Sequence, residues 1–434
     1  MRHVVVIGAG AAGTMAAIFA ARTGAQVTLL ERTRDGGRKI LISGGGRCNV
    51  LPSRLDESRF VTDSSPNTLR KIVRSWPLAE QVAFFEQEVG VRLEEETESA
   101  KLFPASHKAR DVRDGLLALA RRSGAQLRFE SHVTSLTREG TQWMVGLAGD
   151  AAIAADAVIV ATGGLSVPNT GSDGAGLGML AALGHTMHPT YAALTPVTAP
   201  ASAFSELSGI SLRVALTATS AVRSVSAAGG FLFTHQGYSG PSVLNVSHVA
   251  VRARHDSSRA HATATATAAT TATAEAADLR VQWTPHDETA WTVLLQAGGS
   301  RQVASVVRHE LPDRLADVLL AQAQVEPTRK LGELTRDERR RLVDTLVRGP
   351  LPWHGDEGYK KAEVTGGGVA LSEIDPRRME SRRHAGLFLC GEVLDAFGPI
   401  GGYNFLWAWV TGRAAGIAAG VATATTTATT AESV

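Results

Sequence analysis

Three glycines and an acid are the first residues whose types and spacing suggest chemistry. Gly8, Gly10 and Gly13 form GxGxxG directly after a short apolar run and at the opening of an alanine-rich stretch, and Glu31 closes the next apolar run. Such a turn binds a dinucleotide: the first glycine permits the tight bend, the second lets the backbone approach a pyrophosphate, and the third lets helix and strand pack closely. The free N–H groups at the helix start favour phosphate charge. Glu31 is placed to accept hydrogen bonds from the adenosine ribose, and its charge opposes a 2′-phosphate, so FAD or NAD is preferred to NADP. Ala12 and Arg32 complete this set of expected contacts.

A second set follows at once. Residues 34–49 read RDGGRKILISGGGRCN, a long loop in which Ser43, Gly44, Gly45 and Asn49 accompany the cations Arg38, Lys39 and Arg47. Its glycines allow close approach of backbone to ligand, and its cations can balance phosphate or a reduced flavin. An NAD dehydrogenase would continue into regular strand and helix alternation, so the loop points to FAD. A third set lies far along the chain, where Gly401 and Gly402 precede a long helix expected from Tyr403. The positive end of that helix would suit the pyrimidine edge of a flavin and stabilise its anionic reduced form.

The elements that must position these residues can be read from pattern. His3 to Ile7, Ala11 to Arg22 and Gln26 to Leu30 give strand, helix, strand. Helical patterns follow at Leu78 to Glu88 and Asp111 to Arg122, then strands at Leu127 to Glu130, Val133 to Arg138, Trp143 to Leu147 and Ala157 to Ala161. Beyond Pro189 prolines and short alternating strands predict a β-rich stretch, an Ala/Thr-rich segment at 260–277 reads as a surface loop, and helical patterns run through 301–350. From Lys361 the chain turns glycine-rich and apolar again. The expected organisation is an FAD domain in two segments, 1–189 and 351–422, around an inserted domain, 190–350, that is β-rich over 190–300 and helical over 301–350. A flexible tail is expected at 423–434.

Composition narrows the function classes. Of 434 residues 44% are hydrophobic and 20% charged, the balance of a globular chain, and a net charge of +2 with dispersed basic residues predicts neither nucleic acid nor anionic membrane as partner. Only two cysteines occur, Cys48 and Cys390, far apart and in no ligand spacing, so no metal site and a reducing cytoplasm are expected. No apolar stretch reaches the ~18 residues of a membrane span.

The motifs together carry a resemblance. GRKILISGGGRCN at 37–49, LFPASHKARDV at 102–112, ATGG at 161–164, FTHQGYSGPSVLNVS at 233–247, EVTGGGV at 363–369 and LFLCGEVLDAFGPIGGYNFLWAWVTGRAAG at 387–416 resemble, in order, the aminoacetone-oxidase-like, BaiN-like family of FAD-binding flavoproteins. The chain departs from that pattern in the Ala/Thr-rich insertion, at His107, and at Trp407 to Trp409. The resemblance implies a Rossmann-like FAD domain of the glutathione-reductase and fumarate-reductase type with an inserted β-barrel-like plus helical domain. It further implies that Arg38 to Asn49 wrap the pyrophosphate and flavin, and that Val133 meets the adenine through its backbone. Ala161, Thr162 and Gly163 should pass near the cofactor, Gly391 and Glu392 should face the ribityl chain, and Gly401, Gly402, Tyr403 and Asn404 should lie at the flavin.

The expected activity is redox chemistry on a small organic substrate where the insertion closes over the flavin, as an oxidase or as an NAD(P)H-linked reductase. Lys39, Tyr403, His235, Tyr238 and Lys361 are the candidates for proton transfer, with a packing role for His235 and Tyr238 as the competing reading. No second GxGxxG follows a strand, so NAD(P)H is expected only as a transient donor. The alternative function is a flavin-binding module for redox sensing or nucleic-acid association.

Overall fold

Short runs rich in Val, Ile and Leu that are apolar at every position suit strands covered on both faces, and five strands make the central sheet. In the computed structural model, which describes residues 1–200, 204–263, 277–296 and 298–421, that sheet runs Leu387–Leu389, Ala157–Val160, His3–Ile7, Gln26–Leu30, Ala125–Arg128. All four pairings are parallel. The strands are therefore Rossmann-like in order, with the glycine turn leaving the middle one.

Helix Ala11–Arg22 follows that turn, and the last helix, Tyr403–Gly420, lies along it. The two run parallel in an alignment set by small residues. A Cβ on Gly412 would overlap the Ala12 carbonyl, one on Gly416 the Ala16 carbonyl, and one on Gly420 would come 3.0 Å from the Ala20 oxygen. Glycine every fourth residue on one helix thus faces alanine every fourth residue on the other, and the backbones touch where side chains would hold them apart.

Two smaller antiparallel sheets complete this unit. One orders Leu51–Pro52, Lys101–Pro104 and Leu93–Glu96, and the other orders Val133–Glu139, Gln142–Leu147 and Asp150–Ala155. The strands at 93–96, 101–104 and 150–155 were not predicted, because charged residues and a run of alanines interrupt their alternation.

The chain divides into two compact units, Met1–Thr190 with Thr365–Val434, and Tyr191–Val364. The second is built on a seven-stranded antiparallel sheet whose edge strands, Gly349–Pro350 and Gly355–Asp356, are joined by residues 351–354 alone, so the sheet curls round on itself. Its core holds a ring cluster in which Phe233 stacks on Trp283 with centroids 5.8 Å apart and Phe231 meets Trp283 edge-on. This unit runs past residue 350 because Gly355–Asp356 is one of its strands. Two helices, Pro241–Thr263 and Glu288–Gln296, lie where strands and turns were expected. Valines at 243, 246 and 249 have helical spacing, and all three are buried. Residues 264–276 of the Ala/Thr-rich segment and the tail at 422–434 lie outside the described residues.

Candidate functional site

The turn after the first strand is shaped by close approaches that glycine alone tolerates. Gly8 has φ of 100°, and a Cβ on it would lie 2.7 Å from the Ala161 oxygen. A Cβ on Gly13 would overlap the Gly8 carbonyl. Gly10 differs, because a Cβ there would meet no atom within 4 Å. Packing of the polypeptide does not require glycine at position 10, whereas close approach of a phosphate does.

Glu31 is buried at the end of the second strand, and its Oε2 accepts from the Ala9 N–H at 2.9 Å. Its Oε1 accepts from the Thr33 N–H and hydroxyl at 2.9 and 2.8 Å. The acid expected at the ribose therefore also fastens the glycine turn. Arg32 pairs with Asp173, and Ala12 adjoins Gly391, where a Cβ would come 2.8 Å from its own. Ala161 donates its N–H to the Ile7 carbonyl at 2.9 Å, which carries Thr162 and Gly163 past the turn. Val133 is buried at the head of its strand, and the chain just before it is tied in by the Ser131 N–H on the Glu31 carbonyl at 2.8 Å.

In the basic loop, Arg38 donates to Asp35 at 2.6 Å and holds that carboxyl below its usual range. The Ser43 hydroxyl caps the Ile40 carbonyl at 2.7 Å, and Gly44, Gly45, Gly46 and Cys48 all take left-handed φ. Arg47 lies over the Phe103 ring at 4.2 Å and pairs with Glu96 at 2.9 Å. Burial raises the Cys48 thiol to about 12 and raises that of Cys390 too, so neither is a nucleophile.

Lys39 is the loop cation aimed at the rest of the site. Its Nζ donates to Glu392 Oε2 at 2.7 Å and to the Ser166 hydroxyl. Ser166 donates to Glu392 Oε1 at 2.7 Å, the Thr365 N–H donates to the same oxygen at 2.9 Å, and the Leu165 and Ser166 N–H groups converge on Thr365 Oγ1 at 2.7 and 3.1 Å. Burial pushes the Glu392 carboxyl up, but the Lys39 charge and these donors outweigh it and hold the group low, as a carboxylate. Ser166 and Thr365 were missed in the sequence. Their neighbours ATGG and EVTGGGV stood out, yet nothing in either motif says that the two side chains meet.

The Gly391 N–H donates to Thr411 Oγ1 at 2.9 Å and its carbonyl accepts from Trp407 Nε1 at 3.0 Å, while Trp409 Nε1 donates to the Val50 carbonyl at 3.0 Å. The two tryptophans thus tie the last helix to both glycine loops. Asn404 grips the Gly398 N–H and carbonyl, each at 2.9 Å, shaping the loop that ends in Gly401 and Gly402, with φ of 128° and 86°. The Tyr403 hydroxyl donates to the Arg54 carbonyl at 3.4 Å and accepts from the Asp56 N–H at 3.3 Å, so it is engaged with that segment. His235, Tyr238 and Lys361 belong to the second unit. There Tyr238 is buried and donates to the Pro352 carbonyl at 2.9 Å, whereas His235 and Lys361 are exposed.

The residues present fit FAD. Because Gly412 faces Ala12 and Gly416 faces Ala16, the last helix starts about eight residues, or roughly 12 Å, ahead of the first along their shared direction. Two positive helix ends are thereby staggered by that distance, which suits a ligand that carries negative charge or acceptor atoms at two separate points, as FAD does. Asn49 Oδ1 and Thr162 Oγ1 are buried without hydrogen-bond partners among the described residues, the latter against Gly176, where a Cβ would overlap it.

The chain matches the family model described as the HI0933-like protein Rossmann domain over residues 2–418. It is 29% identical over 410 residues to the ribosomal RNA dihydrouridine synthase of Escherichia coli K12, covering 93% of this chain and 94% of that one. It is 28% identical over 420 residues to the 3-dehydro-bile acid Δ4,6-reductase of Clostridium scindens, covering 96% and 98%. Among solved structures, a 3-ketosteroid-Δ4-(5α)-dehydrogenase from Rhodococcus jostii RHA1 aligns with 97% of each chain at 15% identity and a TM-score of 0.47. No helix among the described residues is long and apolar enough to cross a membrane. This chain belongs to the HI0933-like family of Rossmann-domain flavoproteins and is an FAD-dependent oxidoreductase.

Proposed function

We propose that the chain is a reductase that saturates a carbon–carbon double bond conjugated to a carbonyl, drawing its electrons from NAD(P)H. One observation carries this reading: relatives that align over nearly their whole length are, by their names, a synthase of dihydrouridine in ribosomal RNA and a Δ4,6-reductase of a 3-dehydro-bile acid. Both substrates present a carbonyl conjugated to C=C. When bound, FAD supplies the hydride for such a reduction.

The protein's task is to bind and to orient. The Gly8–Gly13 turn and the N–H groups behind it take the pyrophosphate, and Glu31 takes the ribose while bracing that turn. Lys39, fixed by Glu392 and Ser166, holds a cation beside the ribityl chain. In this reading Lys39 and Tyr403 are cofactor and loop contacts, and Tyr238 is a packing residue.

Dispersed charge was the sole reason to expect no nucleic-acid partner, and a base within RNA therefore stays among the substrates to be tried. The test is anaerobic reduction of the bound flavin by NADPH or NADH, followed by reoxidation with unmodified ribosomal RNA in one arm and a 4-en-3-one steroid in another. Turnover in either arm supports the proposal and names the scaffold. A flavin that NAD(P)H leaves oxidised, or that dioxygen alone reoxidises, rejects it.

A further inference from the structure

Lys101 was given no role by any motif. Its strand, Lys101–Pro104, is the middle one of the small sheet, paired with Leu51–Pro52 and Leu93–Glu96. Alternation puts Lys101 and Phe103 on the same face. On that face Phe103 packs against Gly44, its Cε1 lying 3.3 Å from where a Cβ would stand, and Asn49 Cβ lies 3.7 Å from the same point. Gly401 lies over Lys101, since a Cβ on it would be 3.9 Å from both Cγ and Cε of the lysine. One strand face therefore joins the basic glycine loop to the start of the last helix, and Lys101 stands at the junction.

The surroundings leave this ammonium without a hydrogen bond or close ion pair among the described residues. The acid opposite it, Glu96, is taken by Arg47 at 2.9 Å and by the Ser99 hydroxyl at 2.5 Å. Burial lowers the lysine pKa, Glu96 pulls it back up, and the Arg47 charge lowers it again. Two further polar groups nearby are unmatched: the Ser53 hydroxyl, one residue past Pro52, and the carboxamide oxygen of Asn49, whose residue is only 8% exposed. A helix start and, beside it, a cation without a hydrogen-bond partner suit a ligand group rich in acceptor atoms.

We propose that Lys101 is the cationic partner of the N1–C2=O edge of bound FAD, acting with the positive end of the Tyr403–Gly420 helix. Bound FAD would take up two electrons and a proton as hydride, and Lys101 and the helix start would then face the single negative charge of its reduced form at that edge. An ammonium at that edge stabilises the reduced form and raises the reduction potential. The proposal depends on FAD binding and not on the identity of the substrate.

Sulfite tests it without turnover, because its addition to N5 of the oxidised flavin leaves negative charge at the same N1–C2=O edge. In the FAD-loaded protein Lys101→Met should weaken sulfite binding by at least about tenfold and lower the flavin potential, whereas Lys101→Arg should stay within about threefold of the parent. Loss of FAD from Lys101→Met with retention by Lys101→Arg would support the same assignment, since charge is what the two variants do not share. Parental sulfite affinity in Lys101→Met, or loss of FAD from both variants, would overturn it. An FAD enzyme inert towards conjugated carbonyls leaves the sulfite result unaffected, so this proposal and the reductase reading fail separately.

Discussion

At the level of single residues, Gly10 is where the proposed ligand role can be separated from packing. A Cβ at position 10 meets no protein atom within 4 Å, so Gly10→Val should keep the urea midpoint of the flavin-free parent while the purified protein loses its absorbance near ~450 nm. A yellow Gly10→Val protein would reject the pyrophosphate assignment. Glu392 carries a different prediction. Its carboxyl is held below the ordinary 4.5, so the unfolded chain binds the proton more tightly than the folded one. The stability it contributes is complete above that ordinary value and is lost as pH falls through the lowered one. Glu392→Gln should cost about 1–3 kcal/mol at pH 7 by taking the charged partner from Lys39. It should also flatten the fall in stability below the ordinary carboxyl value of 4.5. Equal losses of stability for parent and variant, in urea titrations above and below that value, would show that Glu392 does not titrate as a paired acid.

At the scale of elements, the packed helices explain both what the sequence disclosed and what it hid. The strand, the glycine turn, the helix and Glu31 were legible because each is a local pattern with one physical meaning. The mate of that helix was recognisable as a helix, but its parallel alignment was not, since Gly412, Gly416 and Gly420 acquire their purpose only against Ala12, Ala16 and Ala20. Lys101, Ser166 and Thr365 were hidden for the same reason: each gains meaning from a partner far away in the chain. Helix Pro241–Thr263 was missed because the pattern of prolines and short alternating strands beyond Pro189 was extended across it, although its buried valines at 243, 246 and 249 have helical spacing. The seam makes a prediction of its own. Gly416→Leu must force apart backbones that are in contact, and should destabilise by about 1–3 kcal/mol or more and shift the helix end from the flavin. Thermal unfolding together with FAD content checks this. A variant with parental melting temperature and full FAD would mean that the helices are not in register as described.

For the whole molecule the decisive fact is how the chain passes from one unit to the other. The first unit gives up the chain at Thr190 and takes it back at Thr365, and within that unit a Cβ on Gly367 would overlap the Pro189 carbonyl, so the two ends lie side by side. The second unit likewise closes its own ends, with the Glu363 N–H on the Leu194 carbonyl at 3.1 Å. Each also has a separate core, one around the parallel sheet and one around the Phe231, Phe233 and Trp283 rings. Ends this close need only a few residues to bridge them, and loop closure of that length costs little. Replacing residues 191–364 by a short glycine linker should therefore give a protein that folds and retains FAD, because the glycine turn, Glu31, the Lys39–Glu392 pair and the last helix all lie in the first unit. The same protein should lose turnover of conjugated carbonyls if the inserted unit selects the substrate. Flavin content and the sulfite titration read the first expectation, and reoxidation kinetics read the second. A shortened chain that is soluble and helical but colourless would show that the flavin site needs the inserted unit to exist at all.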